Sequence, residues 1–173
     1  MQDRLRRIED RLEIAEVLAR YCEGLDRLDR KQLTACFHPD SQHNHGFVGP
    51  TAQFFDFAWD VLEACVATHH QIGDIQIALD GDVARVKCYF TAYHRIADPA
   101  PAFFDPSYAG KDLFIAGRYL DRFERRDGVW RIAARTGVHD WQRLEAAADA
   151  GFFDLPADQR GRRDMSDPAY SIP

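Results

Sequence analysis

The segment "THHQIGDIQIALDGDVARVKCYFTAYHRI", residues 68–96, decides the fold. Ile75, Ile77 and Leu79 alternate with polar residues, and further along Ala84, Val86, Cys88, Phe90, Ala92, His94 and Ile96 share one face. A period of two places alternate side chains on opposite faces of a strand. The intervening "LDGD" (79–82) is a hairpin signal, because Gly and Asp tolerate the backbone angles of a tight turn. These residues therefore form a long antiparallel hairpin. Gly73 is suited to a bulge, and one inserted residue there brings His70 and Ile72 onto the apolar face while His69 points outward.

Upstream of the hairpin the period is helical. Residues 4–28 carry a stripe of Ile8, Leu12, Ala15, Leu18 and Cys22 at 3.6-residue spacing, and "DRKQLTACF" (29–37) predicts a short second helix. The polar "HPDSQHNHGFVG" (38–49) reads as a short strand and turn. Gly49-Pro50 then opens a third helix with Phe54, Phe55, Ala58, Val61, Leu62, Cys65 and Val66 on one broad face. Downstream, a loop rich in proline and aromatics (97–110) leads to two strands, 111–125 and 129–141, joined by the turn "RRDG". Helices followed by a meander of long strands give an α+β fold, with the helices packed on one face of a curved, mostly antiparallel sheet. The body spans 1–142. Residues 143–173 are expected to hold a short Ala-rich helix and a charged tail, either disordered or laid across a neighbouring subunit.

At 173 residues, with 46% hydrophobic and 29% charged residues, the chain suits one domain with a sizeable core. A net charge of −6 argues against nucleic acid or an anionic membrane as partner. No apolar run approaches the length of a membrane span or a signal-peptide core. The four cysteines lie far apart without a C-x-x-C pair, as expected of free thiols in a reducing cytoplasm.

Several polar residues fall where the pattern calls for apolar ones, and together they mark a site. Asp26, closing "YCEGLD" (21–26), continues the stripe of the first helix. A carboxylate facing a core needs a partner. His70 and His94 occupy apolar strand faces. Arg135 alternates with Ala133 and Gly137, small residues that suit either a cavity wall or a solvent face. An aspartate beside a histidine fixes the imidazole tautomer and creates a general base, and an arginine stabilises an enolate or an anionic leaving group. The chemistry these residues suit is proton abstraction beside an electron-withdrawing group, followed by elimination or isomerisation. Phe54, Phe55, Phe103, Phe104 and Tyr108 are candidates to wall and cover a cavity, or else ordinary core and loop anchors. His43 and His45 lie on one face of a possible strand, but no third ligand at metal-site spacing accompanies them, so no metal is expected. The sequence contains no G-x-S-x-G, G-x-G-x-x-G or phosphate-binding loop.

"GLDRLD" (24–29), "THHQIGDIQI" (68–77) and "YLDRFERRDGVWRIAARTG" (119–137) resemble the SnoaL-like branch of the nuclear transport factor 2-like superfamily. The resemblance spans about residues 5–142 and is closest to the group of scytalone dehydratase, lindane dehydrochlorinase (LinA) and the bile-acid 7α-dehydratases. It implies a cone-shaped α+β barrel with three N-terminal helices, a deep apolar cavity, no cofactor and a homotrimer. It also implies a catalytic pair of an Asp ending the first helix and a His after the third, positions matched by Asp26 and His70. Arg135 stands five residues after Trp130, where the dehydrochlorinase has an arginine. Tyr21, five residues before Asp26, matches a tyrosine of the dehydratases, whereas the dehydrochlorinase has a lysine there. His94 lies near the second histidine of scytalone dehydratase. The function implied is a cofactor-independent lyase acting on a hydrophobic cyclic or polycyclic molecule. The alternatives are an isomerase or cyclase of the ketosteroid isomerase or polyketide cyclase type, and a non-catalytic small subunit like those of ring-hydroxylating dioxygenases.

Overall fold

The computed structural model describes residues 1–102 and 104–171, Phe153 by its backbone only. Helix α1 (Gln2–Asp26) and the short α2 (Arg30–Ala35) precede strands β1 (Phe37–Asn44) and β2 (Val48–Pro50), and α3 is Thr51–Glu63. The long strands β3 (Cys65–Asp80), β4 (Val83–Ile96), β5 (Lys111–Arg126) and β6 (Val129–Ala146) complete one sheet in the order β2-β1-β6-β5-β4-β3. Among the described residues only the β1–β6 pairing is parallel. The sheet is strongly curved and unclosed, with β2 and β3 as its edges, so the cone is open along one side.

Bulges set the curvature and decide which side chains face inward. In β3 one extra residue lies between Gly73 and Gln76 opposite Tyr89 and Lys87, with Asp74 at φ +49°. The shift turns Thr68, His70 and Ile72 inward on one side of the bulge and Ile77 and Leu79 on the other. On β6, Ala133 is the extra residue between the Arg122–Ala134 and Phe123–Ile132 pairs, and a second shift lies between the Ala116–Trp141 and Gly117–His139 pairs. Each bulge bends its strand and reverses the inward parity. Trp130 and Ile132 therefore share the interior with Arg135, which strict alternation would have kept apart.

The core lies between this concave face and the helices. From α1 it takes Ile14, Val17, Leu18, Tyr21 and Leu25, from α3 Phe54, Phe55, Ala58 and Leu62. The stripe expected for α1 is corrected in its first half. Ile8 and Leu12 are 46% and 66% exposed, and the buried residue there is Asp10. Asp10 accepts hydrogen bonds from Trp130 Nε1 (2.9 Å) and Arg125 Nη1 (2.6 Å), which fixes the rotation of the helix. At its other end, Gly24 lets α2 close on α1, since a Cβ there would meet the Leu33 backbone nitrogen at 3.0 Å. Asp29 caps α2 by accepting the Gln32 N–H.

The helix expected at the C-terminus is corrected, and so is a disordered tail. Residues 143–146 do not begin a helix: they continue β6, because Leu144 pairs with Leu113 and joins a satellite cluster with Cys65, Ile96 and Phe104. Three short 3-10 turns follow, and the tail folds back on its own chain. Asp167 is buried against Arg27 at 2.7 Å, and Arg163 donates to the Leu62 carbonyl at 2.8 Å. Charged residues reach α1 and the end of α3 here, so the polar composition of the tail does not leave it detached.

Candidate active site

Asp26 is the last residue of α1 and is 5% exposed. Its Oδ1 accepts the Thr68 hydroxyl at 2.9 Å and lies 2.7 Å from His70 Nδ1, while Oδ2 accepts the His70 backbone N–H at 2.8 Å. Burial pushes this carboxyl upward, but the bonds and charge from His70 and the Thr68 hydroxyl outweigh it and hold Asp26 below its ordinary value. An ionised carboxylate only accepts, so His70 Nδ1 carries a proton and Nε2 is left as the free nitrogen. The backbone bond matters as much as the ring bond, because it pins β3 against the end of α1 and fixes the ring's origin.

His70 opens on a cavity of about 360 Å³ between the helices and the concave sheet. This lies within the range of small-molecule sites. Phe54, Phe57, Phe90, Leu113, Ile115 and Phe104 supply apolar wall. Polar groups enter from three sides: His70 with His94, Tyr21 with Tyr119, and His45 with His139. The His94 ring meets His70 edge-on, with centroids 5.1 Å apart. Burial, with the nearby His70, pushes His94 down to about 3, so it is a neutral imidazole. Burial likewise raises both tyrosines, which remain phenols able to donate.

Across the cavity, His45 and His139 place their Nε2 atoms 2.7 Å apart, a distance that requires one proton between them. His45, on the β1–β2 connection, is pressed against β6 where Gly137 leaves space, since a Cβ there would lie 2.4 Å from the imidazole. Burial and the neighbouring His139 lower His45 to about 4.

Among the expected site residues, Asp26, His70, His94, Tyr21, Phe54 and Phe104 come together here. Others do not. Arg135 is 1% exposed and absent from the cavity lining; its Nε and Nη2 donate to Asp121 at 2.8 and 2.7 Å. The guanidinium lies 4.1 Å from the ring centroids of both Tyr21 and Tyr119, sealed behind them. Burial opposes its charge, but Asp121 and the two tyrosines outweigh this and hold it cationic. Phe55 packs into the core against Phe37, and Tyr108 stacks behind Phe104. Phe103 lies outside the described residues. His43 lies on the same side of β1 as His45, with ring centroids 6.3 Å apart, but it is stacked on Phe54 at 3.6 Å with neither ring nitrogen bonded and does not line the cavity. Among the described residues no group of three or more His, Cys, Asp or Glu is placed to hold a metal ion.

Tyr119, Phe90, His45 and His139 were not assigned to a site from sequence. Tyr119 and Phe90 carry the strand period and so read as core. His139 lies next to a β6 bulge that hides its inward parity.

The buried histidines make stability depend on pH. Burial holds His43 at about 2, His45 at about 4 and His94 at about 3, against about 6.5 in the unfolded chain. Below pH ~6.5 the unfolded state binds protons that the folded state refuses, so stability falls with pH, by about 1.4 kcal/mol per pH unit for each such group. His43→Phe keeps the stack on Phe54 and removes one titrating group. Between pH ~7 and ~5 the variant is expected to lose about 2 kcal/mol less than wild type in urea denaturation. Equal losses would show that His43 titrates normally in the fold.

A SnoaL-like domain family model matches residues 6–136. The uncharacterized protein Rv2910c of Mycobacterium tuberculosis (strain H37Rv) is 27% identical over 147 residues, covering 79% of this chain and 90% of that protein. The crystal structure of LinA aligns with TM-score 0.72 at 18% identity, covering 87% of this chain and 98% of LinA. A scytalone dehydratase candidate from Novosphingobium aromaticivorans aligns with TM-score 0.69 at 19% identity, covering 87% of this chain and 95% of that one. At these identities the solved structures share the fold, and the family match spans most of the chain: it belongs to the SnoaL-like domain family.

Proposed function

We propose that the protein is a cofactor-independent lyase that eliminates water from a hydrophobic cyclic molecule. The observation that carries this reading is the Asp26–His70 pair: a carboxylate with three hydrogen bonds to fixed donors orients one imidazole so that its free nitrogen meets an apolar cavity. His70 Nε2 removes a proton from a carbon next to a carbonyl. The C–H electron pair forms the new double bond, the C–O bond at the adjacent carbon breaks, and the leaving hydroxide takes the proton from the His70 imidazolium, departing as water and restoring the base. Asp26 keeps the Nδ1–H tautomer and balances the imidazolium. Tyr21, held as a phenol and accepting a hydrogen bond from Tyr119, donates to the carbonyl as it gains enolate character, and the neutral His94 offers a second polar contact beside the base. The kinship with LinA and a scytalone dehydratase candidate supports chemistry of this type.

Isomerisation is the second reading, and the His45–His139 pair favours it, because a proton held across the cavity from His70 can be delivered to a different carbon. A screen of cyclic β-hydroxyketones and β,γ-unsaturated ketones by mass spectrometry separates the two. Loss of water identifies the lyase, and conversion without change of mass identifies the isomerase. The absence of either from the whole panel counts against both.

Copies of the chain are further proposed to assemble, as a trimer, through the outer sheet face. Tyr89, Leu120 and Trp141 are 47%, 41% and 51% exposed there and support such a contact.

A further inference from the structure

A second cavity, of about 590 Å³, lies between the folded-back tail and the adjoining stretches of β3 and β4. It is separated from the apolar cavity by the wall that carries Thr68 and Asp26. Five arginines line it: Arg27, Arg95, Arg160, Arg162 and Arg163. In a chain of net charge −6 this concentration of cations runs against the overall balance.

Carboxylates neutralise only part of it. Arg95 is paired with Asp112 and Asp149, and Arg27 with Asp167. Among the described residues the remaining three guanidiniums form no ion pair with a carboxylate. Arg160 makes no hydrogen bond or ion pair. Arg162 donates to the carbonyl and hydroxyl of Ser166 at 3.2 and 3.3 Å and to the Ala157 carbonyl at 3.4 Å. Arg163 uses Nη1 on the carbonyls of Leu62 and Cys65 and leaves Nε and Nη2 buried without a partner. Asp164, next in the chain, is turned to the Ser166 backbone N–H and does not line the cavity. Asp26, beyond the wall, is occupied by Thr68 and His70. The lining itself holds five arginines against one carboxylate, Asp149; Asp112 and Asp167 pair from behind, and Asp26, Glu63 and Asp164 offset Arg163 and Arg162 in part, which leaves the cavity surface cationic.

We infer that this cavity binds a phosphate monoester. Such a group carries about −1.5 to −2 charge at neutral pH and offers three acceptor oxygens, suiting a cationic lining and the unengaged guanidinium of Arg160. Guanidinium forks suit its geometry. The cavity exceeds what a bare phosphate fills, and Val66, Ala150 and Phe152 line it as apolar surface for an organic body. Bound there, the ligand bridges the tail (Arg160, Arg162, Arg163) to α1 and β4 (Arg27, Arg95) and so fastens the tail to the domain. The inference is independent of the chemistry assigned to the apolar cavity.

The test is isothermal titration of the full chain with phenyl phosphate, inorganic phosphate and benzoate, repeated on Arg160→Gln and Arg163→Gln. Arg160 has no partner to lose, so its substitution leaves the fold intact. Saturable binding of phenyl phosphate is expected, tighter than inorganic phosphate and much tighter than benzoate, weakened about tenfold or more in each variant and by added salt. Equal affinity for inorganic phosphate would overturn the organic body and leave a site for the free ion. Equal affinity for benzoate would overturn the dianion. Absence of saturable binding, or affinity unchanged in both variants, would overturn the site.

Discussion

Substituting glutamine for His70 is expected to slow elimination by about 10²–10⁴-fold, the usual contribution of a positioned general base. Glutamine retains an amide that can reach Asp26 but offers no basic nitrogen to the cavity. The loss is expected in kcat, with little change in KM, because the apolar walls that bind the substrate body are untouched. Asp26→Asn tests the same unit from its other end. An asparagine oxygen still accepts a hydrogen bond, but the amide cannot balance an imidazolium, and where its NH₂ faces Nδ1 it selects the wrong tautomer. The two substitutions should be far from additive, since each disables the same base. Fold integrity is checked separately, because Asp26 also accepts the Thr68 hydroxyl and the His70 backbone N–H.

The second large effect is on stability. Arg135→Leu leaves Asp121 fully buried without its partner, and breaking a buried pair in this way costs about 3–5 kcal/mol. Exchanging both residues, Arg135→Met with Asp121→Leu, removes the stranded charge and is expected to recover most of that loss. Urea denaturation reads both, as a fall in midpoint for the single variant with little change in slope, and a rise back for the double. The double variant also separates structure from chemistry. If Arg135 acts only by backing Tyr21 and Tyr119, proton abstraction at His70 persists in the folded double variant. Complete loss of activity there would return Arg135 to the catalytic set.

Arg135 also shows where the sequence stops being informative. Its strand was legible, and so was its position five residues after Trp130. Its depth was not, because the extra residue at Ala133 reverses the strand's parity and nothing in the sequence marks a non-glycine bulge. The bulge in β3 was readable from Gly73, and with it the inward turn of His70. Asp26 was readable as a violation of helical periodicity, although the same periodicity misled for Ile8 and Leu12, where the Asp10 contacts with Arg125 and Trp130 rotate the helix. His45 and His139 are 94 residues apart and meet only through the parallel β1–β6 pairing, a long-range contact without a local signature. The tail's polar composition suggested detachment. Arg163 and Asp167 instead find partners at the ends of α3 and α1 that composition cannot reveal.

Proton abstraction from carbon by His70 is the central claim, and it is testable without knowing the leaving group. Cyclic ketones that carry none are incubated with the protein in D₂O, and exchange of the hydrogens next to the carbonyl is followed by NMR. Exchange well above the rate of an equal concentration of free imidazole, abolished in His70→Gln and strongly reduced in Asp26→Asn, is the expected result. Exchange no faster than imidazole across the panel, or exchange that survives in His70→Gln, would contradict the assignment of His70 as the base.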